Sequence, residues 1–381
     1  MQLTGTPFLI CTIILVPVSI AAAMLLWGRV RGAKPLKVLS RLAMLLFCQL
    51  TAVLMVFVMV NNANLIYGNW DDLLGTGHHV RAVPSVPPAT ADGAGGTPAP
   101  GQDAKPPAPA KVVQSFKNVD DPKVPGDVRR TDLKGQLSGI DGEVLVWLPP
   151  QYDEPAYKDR KFPVVELIPG WPGSSSTWYG TLKVSEQLKP LMQQGKVAPF
   201  ILVSPRTLLL GNQVDAGCTD VPGKANAETW LARDVPQMVL DNFRVDPSPD
   251  RWAVAGYSAG AHCATKLALA HPNRYRAGVS LSGYNDPAAE KDSLAGQDPK
   301  LREANNPLNI LRNAAQPPKV ALYLSGNKGD GYEDAVALRD AAKAPTTVQP
   351  VETTGPHASD VWKPMVPGVF EWLTGVIPVQ P

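Results

Sequence analysis

Two stretches near the start of this chain, residues 8–27 and 42–60, contain no charged side chain. Nothing else in the sequence limits the possible folds as tightly. Each run is about 20 residues long, and at ~1.5 Å per helical residue that matches the ~30 Å of hydrocarbon in a bilayer. Two transmembrane helices are therefore expected. A cleaved signal peptide fits the first run poorly, because such a peptide carries cations ahead of its apolar core. Here MQLTGTP precedes the run, and the cations follow it. Arg29, Arg31, Lys34, Lys37 and Arg41 lie in or beside the short connection, with no acid among them. Short basic loops stay cytoplasmic. The pattern predicts a hairpin with its turn inside, both ends outside, and everything beyond about Asn61 extracytoplasmic, on the plasma membrane. Tyr67 and Trp70, in NNANLIYGNWDDLLG, are rings suited to the headgroup level.

Residues 1–80 thus read as a membrane hairpin. From 84 to 110 the chain becomes PSVPPATADGAGGTPAPGQDAKPPAPA, which holds much of its excess of glycine and proline (32 and 39 residues). Such a segment has no apolar periodicity with which to offset the cost of ordering its backbone, so 81–112 reads as a semi-extended linker. His78 and His79, just before it, read as solvated loop residues, since no third metal ligand stands nearby. The charge balance of 36 Lys and Arg against 34 Asp and Glu, net +2, provides no basic field for nucleic acid.

Residues 113–381 form one enzyme-sized domain. Short apolar runs at 143–148 (EVLVWL), 164–168 (VVELI), 200–204 (FILVS), 252–255 (WAVA), 278–281 and 320–324 (VALYL) read as strands, with a weaker one near 348–351. Helical patterns alternate with them at 184–194, 228–242, 259–270, 333–343 and 360–373. Continuous apolar strands imply burial on both faces, so the fold class is α/β: a mostly parallel sheet with helices on both sides.

The chemical signal is Gly256-Tyr257-Ser258-Ala259-Gly260. A G-x-S-x-G alone is weak, but this one follows a strand and opens a helix, the setting in which a sharp turn exposes a nucleophilic serine. A serine hydroxyl needs a base. The domain offers His262, on the same helix; His271, at that helix's end; and His357, in TTGPHASDVW before the final helix. His262 points back along its own helix and His271 reads as a cap, which leaves His357. The acid is expected after strand 320–324, where Asp330, Glu333 and Asp334 lie in SGNKGDGYEDAVALRD; Asp330, flanked by glycines, is the first choice. An oxyanion hole takes two backbone N–H groups: that of Ala259, after the nucleophile, and that of Trp171, in the loop ELIPGWPGSSSTWY.

These pieces carry a resemblance. VLVWLPPQY, FPVVELIPGW, VAGYSAGAHCATKLALAHP, SLSG and the histidine before the last helix resemble the putative-esterase family of α/β hydrolases, which includes S-formylglutathione hydrolases, feruloyl esterases and cell-wall mycolyltransferases. The N-terminal part is similar to membrane-anchored members from actinobacteria. The resemblance implies Ser258 as nucleophile, His357 as base and the Trp171 amide in the oxyanion hole. It departs from the family in having Gly260-Ala261 where many members have Gly-Gly, and in an acid loop one residue longer than G-x-x-D. It implies an ester substrate, either cleaved by water or passed to a cell-envelope glycan or lipid by acyl transfer, with no cofactor and no metal. A hydrolase-fold scaffold without activity is the third reading. Cys11 and Cys48 fall in the two spans; Cys218 and Cys263 are expected in an oxidising compartment, where they can form a disulfide.

Overall fold

Val164–Ile168 shows how the sequence builds this molecule. Alternate side chains of a strand face opposite sides of a sheet, and here both sides are buried, with Glu166 the one polar side chain, bonded by the Tyr275 hydroxyl at 2.8 Å. Val164 and Ile168 enter one buried cluster with Val254, Leu267 and Leu322. Val165 and Leu167 enter a second with Leu188, Phe200 and Phe370. A strand of this kind needs helices on both faces.

The computed structural model describes residues 1–81, 111–211 and 214–377. Its main sheet contains β1 (Lys117–Asn118), β2 (Arg129–Lys134), β3 (Asp141–Trp147), β4 (Val164–Ile168), β5 (Ile201–Pro205), β6 (Trp252–Tyr257), β7 (Ala277–Leu281), β8 (Ala321–Gly326) and β9 (Thr347–Glu352). The strand order is β1-β2-β3-β5-β4-β6-β7-β8-β9. The first three strands and the β3–β5 pair run antiparallel, and from β5 to β9 every pair is parallel. The chain reverses its direction of travel across the sheet at β4, and β6 then lies beside β4 in the centre.

Helices α1 (Thr6–Trp27) and α2 (Lys34–Asn64) are antiparallel neighbours, each long and apolar enough to cross a membrane. Ser19 and Thr51 hydroxyls meet at 3.0 Å between them, and each also bonds a carbonyl of its own helix. In the α/β domain, α3 (Val184–Gln193) and α7 (Val366–Val376) cover one face. The 227–242 helix (α4), α5 (Ala259–Ala270) and α6 (Tyr332–Ala341) cover the other. Within α4 the residues Trp230–Asp234 form a wider π turn.

Two local departures from the sequence reading have clear causes. The stretch expected as one helix from 360 to 373 is broken at Lys363–Met365, because Pro364 has no N–H to continue the ladder. His79 is not a solvated loop residue: it is half-buried, its Nδ1 lies 3.0 Å from the Asp141 carbonyl, and burial beside Arg206 lowers its pKa. The expected linker lies outside the described residues except at its ends. Those ends lie on the α/β domain: Arg81 pairs with Asp141 at 2.8 Å, and the Val112 and Gln114 amides donate to Asp241 and Asn242.

Candidate active site

The site forms where β6 turns into α5. Ser258 takes φ 56° and ψ −127°, a backbone conformation that costs a residue with a β-carbon ~1–3 kcal/mol. The glycines around it make the turn possible. A β-carbon at Gly256 would run into the Gly260 carbonyl, and one at Gly260 would strike the Ile168 and Pro169 carbonyls at the end of β4. The tripeptide is pinned from the next strand as well, since Ser258 N–H donates to the Leu281 carbonyl at 2.9 Å. The strained serine is thus held at the carboxyl ends of the parallel strands, with the first turn of α5 behind it.

His357 arrives in the loop after β9. Its Nε2 lies 2.8 Å from Ser258 Oγ, across 99 residues of sequence. Its Nδ1 lies 2.8 Å from Asp330 Oδ1, in the loop after β8. The other two acids considered for this place face elsewhere. Glu333 accepts from the Gly329 N–H at 2.9 Å, and Asp334 accepts from the Asn285 N–H at 3.1 Å. Burial raises the Asp334 pKa, opposed by that hydrogen bond. The imidazole packs edge-on against Trp362 at 4.9 Å between ring centres, and Trp362 is itself fixed by its Nε1 donating to Ser282 Oγ. Trp362 was not singled out in the sequence, although it stands five residues past His357 on the following short helix.

Gly170 brings the loop after β4 against the nucleophile: a β-carbon there would lie 3.0 Å from Ser258 Cβ and 2.8 Å from the Tyr257 ring. Trp171 follows it directly. Among the described residues, neither the Trp171 nor the Ala259 amide donates to a main-chain carbonyl in the turns and loops. A recess beside these residues is lined by Leu209, Trp230, Leu231 and the Cys218–Cys263 pair, with Arg206 and Asp215 also on its wall.

His262, the alternative base, is buried and turned away. Its Nδ1 lies 2.9 Å from the Tyr284 carbonyl, its ring stacks on Tyr284, and burial lowers its pKa to about 4. His271 sits 2.8 Å from Glu228 at the far end of α5. Among the described residues, no three His, Cys, Asp or Glu side chains are grouped to hold a metal ion.

Cys218 and Cys263 form a disulfide, with Cα atoms 5.8 Å apart and 45 residues between them in sequence. It fastens α5, and so the serine turn, to the loop beneath the Trp171 segment. Replacing both by serine is expected to lower the unfolding free energy by about 2–4 kcal/mol. The shift of the urea midpoint, with the solubilised full chain compared before and after reduction, measures it.

A nine-stranded, mostly parallel sheet with a strained serine between strand and helix defines an α/β hydrolase. The chain belongs to the Esterase family, described as Putative esterase, whose family model matches residues 138–357. It is accordingly a carboxylic-ester hydrolase. An uncharacterized protein of Corynebacterium glutamicum is 25% identical over 299 residues, covering 70% of this chain and 68% of that one. Two solved structures share the fold. A ferulic acid esterase superposes with a TM-score of 0.55 at 20% identity, covering 65% of this chain and 98% of that one. An S-formylglutathione hydrolase from Agrobacterium tumefaciens does so with 0.53 at 14% identity, covering 70% and 100%.

Proposed function

We propose that this chain is a membrane-tethered serine esterase, with its α/β domain outside the cytoplasm, and that it works through an acyl-enzyme. The observation that carries the reading is the unbroken relay from Asp330 through His357 to Ser258, with both contacts at 2.8 Å. Ser258 Oγ attacks the ester carbonyl while its proton passes to His357 Nε2. The Trp171 and Ala259 amides hold the oxyanion, at ~3 kcal/mol of transition-state stabilisation for each donor. The C–O bond then breaks, the alcohol leaves with the proton from Nε2, and water repeats the sequence to free the acid. Asp330 keeps Nδ1 protonated, so that Nε2 presents a lone pair to the serine. The His357 side chain is 43% exposed. That access to water favours hydrolysis over transfer to an acceptor.

Three features support the outward placement. The basic residues cluster at the turn of the α1–α2 hairpin. Both opposite ends of the hairpin meet the domain, through Gln2 donating to Asp120 and Thr181 donating to the Ala63 carbonyl. A disulfide in the domain belongs to an oxidising compartment. A membrane-impermeant fluorophosphonate applied to intact cells tests chemistry and sidedness together. Labelling of the wild type but not of Ser258→Ala is expected. Labelling only after lysis reverses the orientation, and no labelling in either condition removes the serine chemistry.

A further inference from the structure

The segment joining α2 to the proline-rich stretch is part of the α/β domain's surface. It touches both rims of the candidate active site. Leu65 is fully buried, against Gly180, and its carbonyl accepts from Ser174 Oγ at 2.7 Å and Thr177 Oγ1 at 3.1 Å. Those two residues lie on the loop and short helix that follow Trp171. On the opposite rim, Ser359, two residues past His357, donates to Asn64 Oδ1 at 3.4 Å. A buried ion pair locks the segment further along: Arg206 reaches Asp72 at 2.6 Å, with side chains 7% and 4% exposed. Tyr67 and Asp71 from this segment face Trp171, Leu208, Leu210 and Asp292 across a cleft beside the Trp171 loop.

The same segment begins where the apolar run ends. Asn64 is four residues past Val60, the last residue of that run, or ~6 Å of helix axis. A headgroup layer is itself ~5–8 Å deep on each side. The other end of the hairpin closes on the same place: the Phe8 and Trp70 rings lie edge to face at 5.2 Å, and Leu3 is 1% exposed. The contacts made by Asn64 and Leu65 with Ser359, Ser174 and Thr177, on the two rims of the site, therefore fall within a headgroup's depth of the end of the apolar run. The described lining of the cleft contains no lysine or arginine, and Asp71 and Asp292 make the wall acidic. The nearest guanidinium, that of Arg206, is already paired with Asp72, so a phosphate-bearing headgroup would face the two carboxylates with no unpaired lysine or arginine among the lining residues.

We infer that residues 61–81 are a built wall of the substrate site that holds its mouth at the bilayer surface, and that the natural substrate is an ester carried by a membrane amphiphile with an uncharged head. This rests on the membrane-tethered serine-esterase reading. The ester enters from the leaflet itself and reaches Ser258 past Trp171, which lines the cleft and belongs to the loop packed on the nucleophile.

The test uses the full chain in phosphatidylcholine vesicles, with nitrophenyl acetate as a water-soluble ester and long-chain diacylglycerol or phosphatidylglycerol as a bilayer-borne one. Ten-residue Gly/Ser insertions between positions 60 and 61 and between positions 8 and 9, made together because both outer ends of the hairpin hold the domain, leave the segment docked but free the domain from the surface. Seven-residue helical insertions at the same two points, each two turns long, raise it by ~10 Å and serve if the first variant does not fold. The expected result is a fall of at least tenfold in diacylglycerol cleavage, with nitrophenyl acetate cleavage and fluorophosphonate labelling within twofold of wild type. Wild type is also expected to cleave diacylglycerol at least tenfold faster than phosphatidylglycerol. Unchanged diacylglycerol cleavage by a folded, labelled variant overturns the inference, as does a parallel fall on both esters or equal rates on the two lipids. A wild type that neither labels nor cleaves nitrophenyl acetate points to a different failure, that of the serine-esterase reading itself.

Discussion

Asp330→Asn is expected to reduce kcat on a soluble ester by about 10⁴-fold while leaving the domain folded. Asparagine is nearly the same shape as aspartate, so the loop after β8 has no steric reason to move. The electrostatics do change. Asp330 Oδ1 stands 2.8 Å from His357 Nδ1 and, as a carboxylate, can only accept. It therefore selects the imidazole tautomer whose Nδ1 carries the proton. An asparagine can present its NH₂ there instead, which favours the opposite tautomer and turns Nε2 into a donor toward Ser258. The cation formed during acylation also loses its counter-charge. Glu333→Gln and Asp334→Asn are the controls, because their carboxylates bond the Gly329 and Asn285 amides rather than the imidazole. Each should change kcat by less than about threefold, since neither contact touches the reacting atoms. Steady-state kinetics on the three variants, with circular dichroism to confirm folding, decides the matter. A large loss in Asp334→Asn with little in Asp330→Asn would move the acid to the next helix.

How much of this was legible beforehand depended on how locally each feature is encoded. Strand β4 is legible with its boundaries because four of the five residues of VVELI are apolar and they fall on both faces, and the serine turn because its glycines stand beside the residue they serve. β2 was missed. In RRTDLK only Thr131 and Leu133 turn inward, and the strand exists through its pairing with β3, a tertiary condition with no apolar run to signal it. The choice among three acids also stayed open, because all lie within five residues. What separates them is a tight turn, in which Asn327 and Asp330 exchange backbone hydrogen bonds, that swings one carboxylate toward the imidazole. The docking of residues 61–81 was invisible for another reason. Tyr67 and Trp70 satisfied a local explanation as headgroup anchors, and the hydroxyls that hold Leu65 lie 109 and 112 residues further on.

The largest effect on stability is expected from Glu228→Gln. Lys266 lies on α5, two turns past the serine, with its side chain 2% exposed. Its ammonium donates to Glu228 Oε2 at 2.7 Å, the Cys218 carbonyl at 2.8 Å and Thr219 Oγ1 at 3.1 Å. Removing the carboxylate leaves a buried cation with neutral partners only, which typically costs ~3–5 kcal/mol. Lys266→Met in the same chain should recover most of that loss, because it removes the stranded charge as well. The pair also sets an acid limit. Burial works to raise the Glu228 pKa, but Lys266 and His271 outweigh it and bring it to about 2. The folded pKa is thus below the ordinary value of 4.5, so the contribution is complete above that pH and disappears as pH falls toward 2. A difference of that size corresponds to about 3 kcal/mol. Urea unfolding at pH 7, 4 and 3 should show wild type losing stability over that window and Glu228→Gln losing correspondingly less. Wild type and variant curves running parallel would mean that the carboxylate is not the group being titrated. Because Lys266 grips the carbonyl of the cysteine whose disulfide holds α5, removing the bridge in the Glu228→Gln background should give a loss that is not the sum of the two. That non-additivity is the signature of one unit holding the helix that presents Ser258.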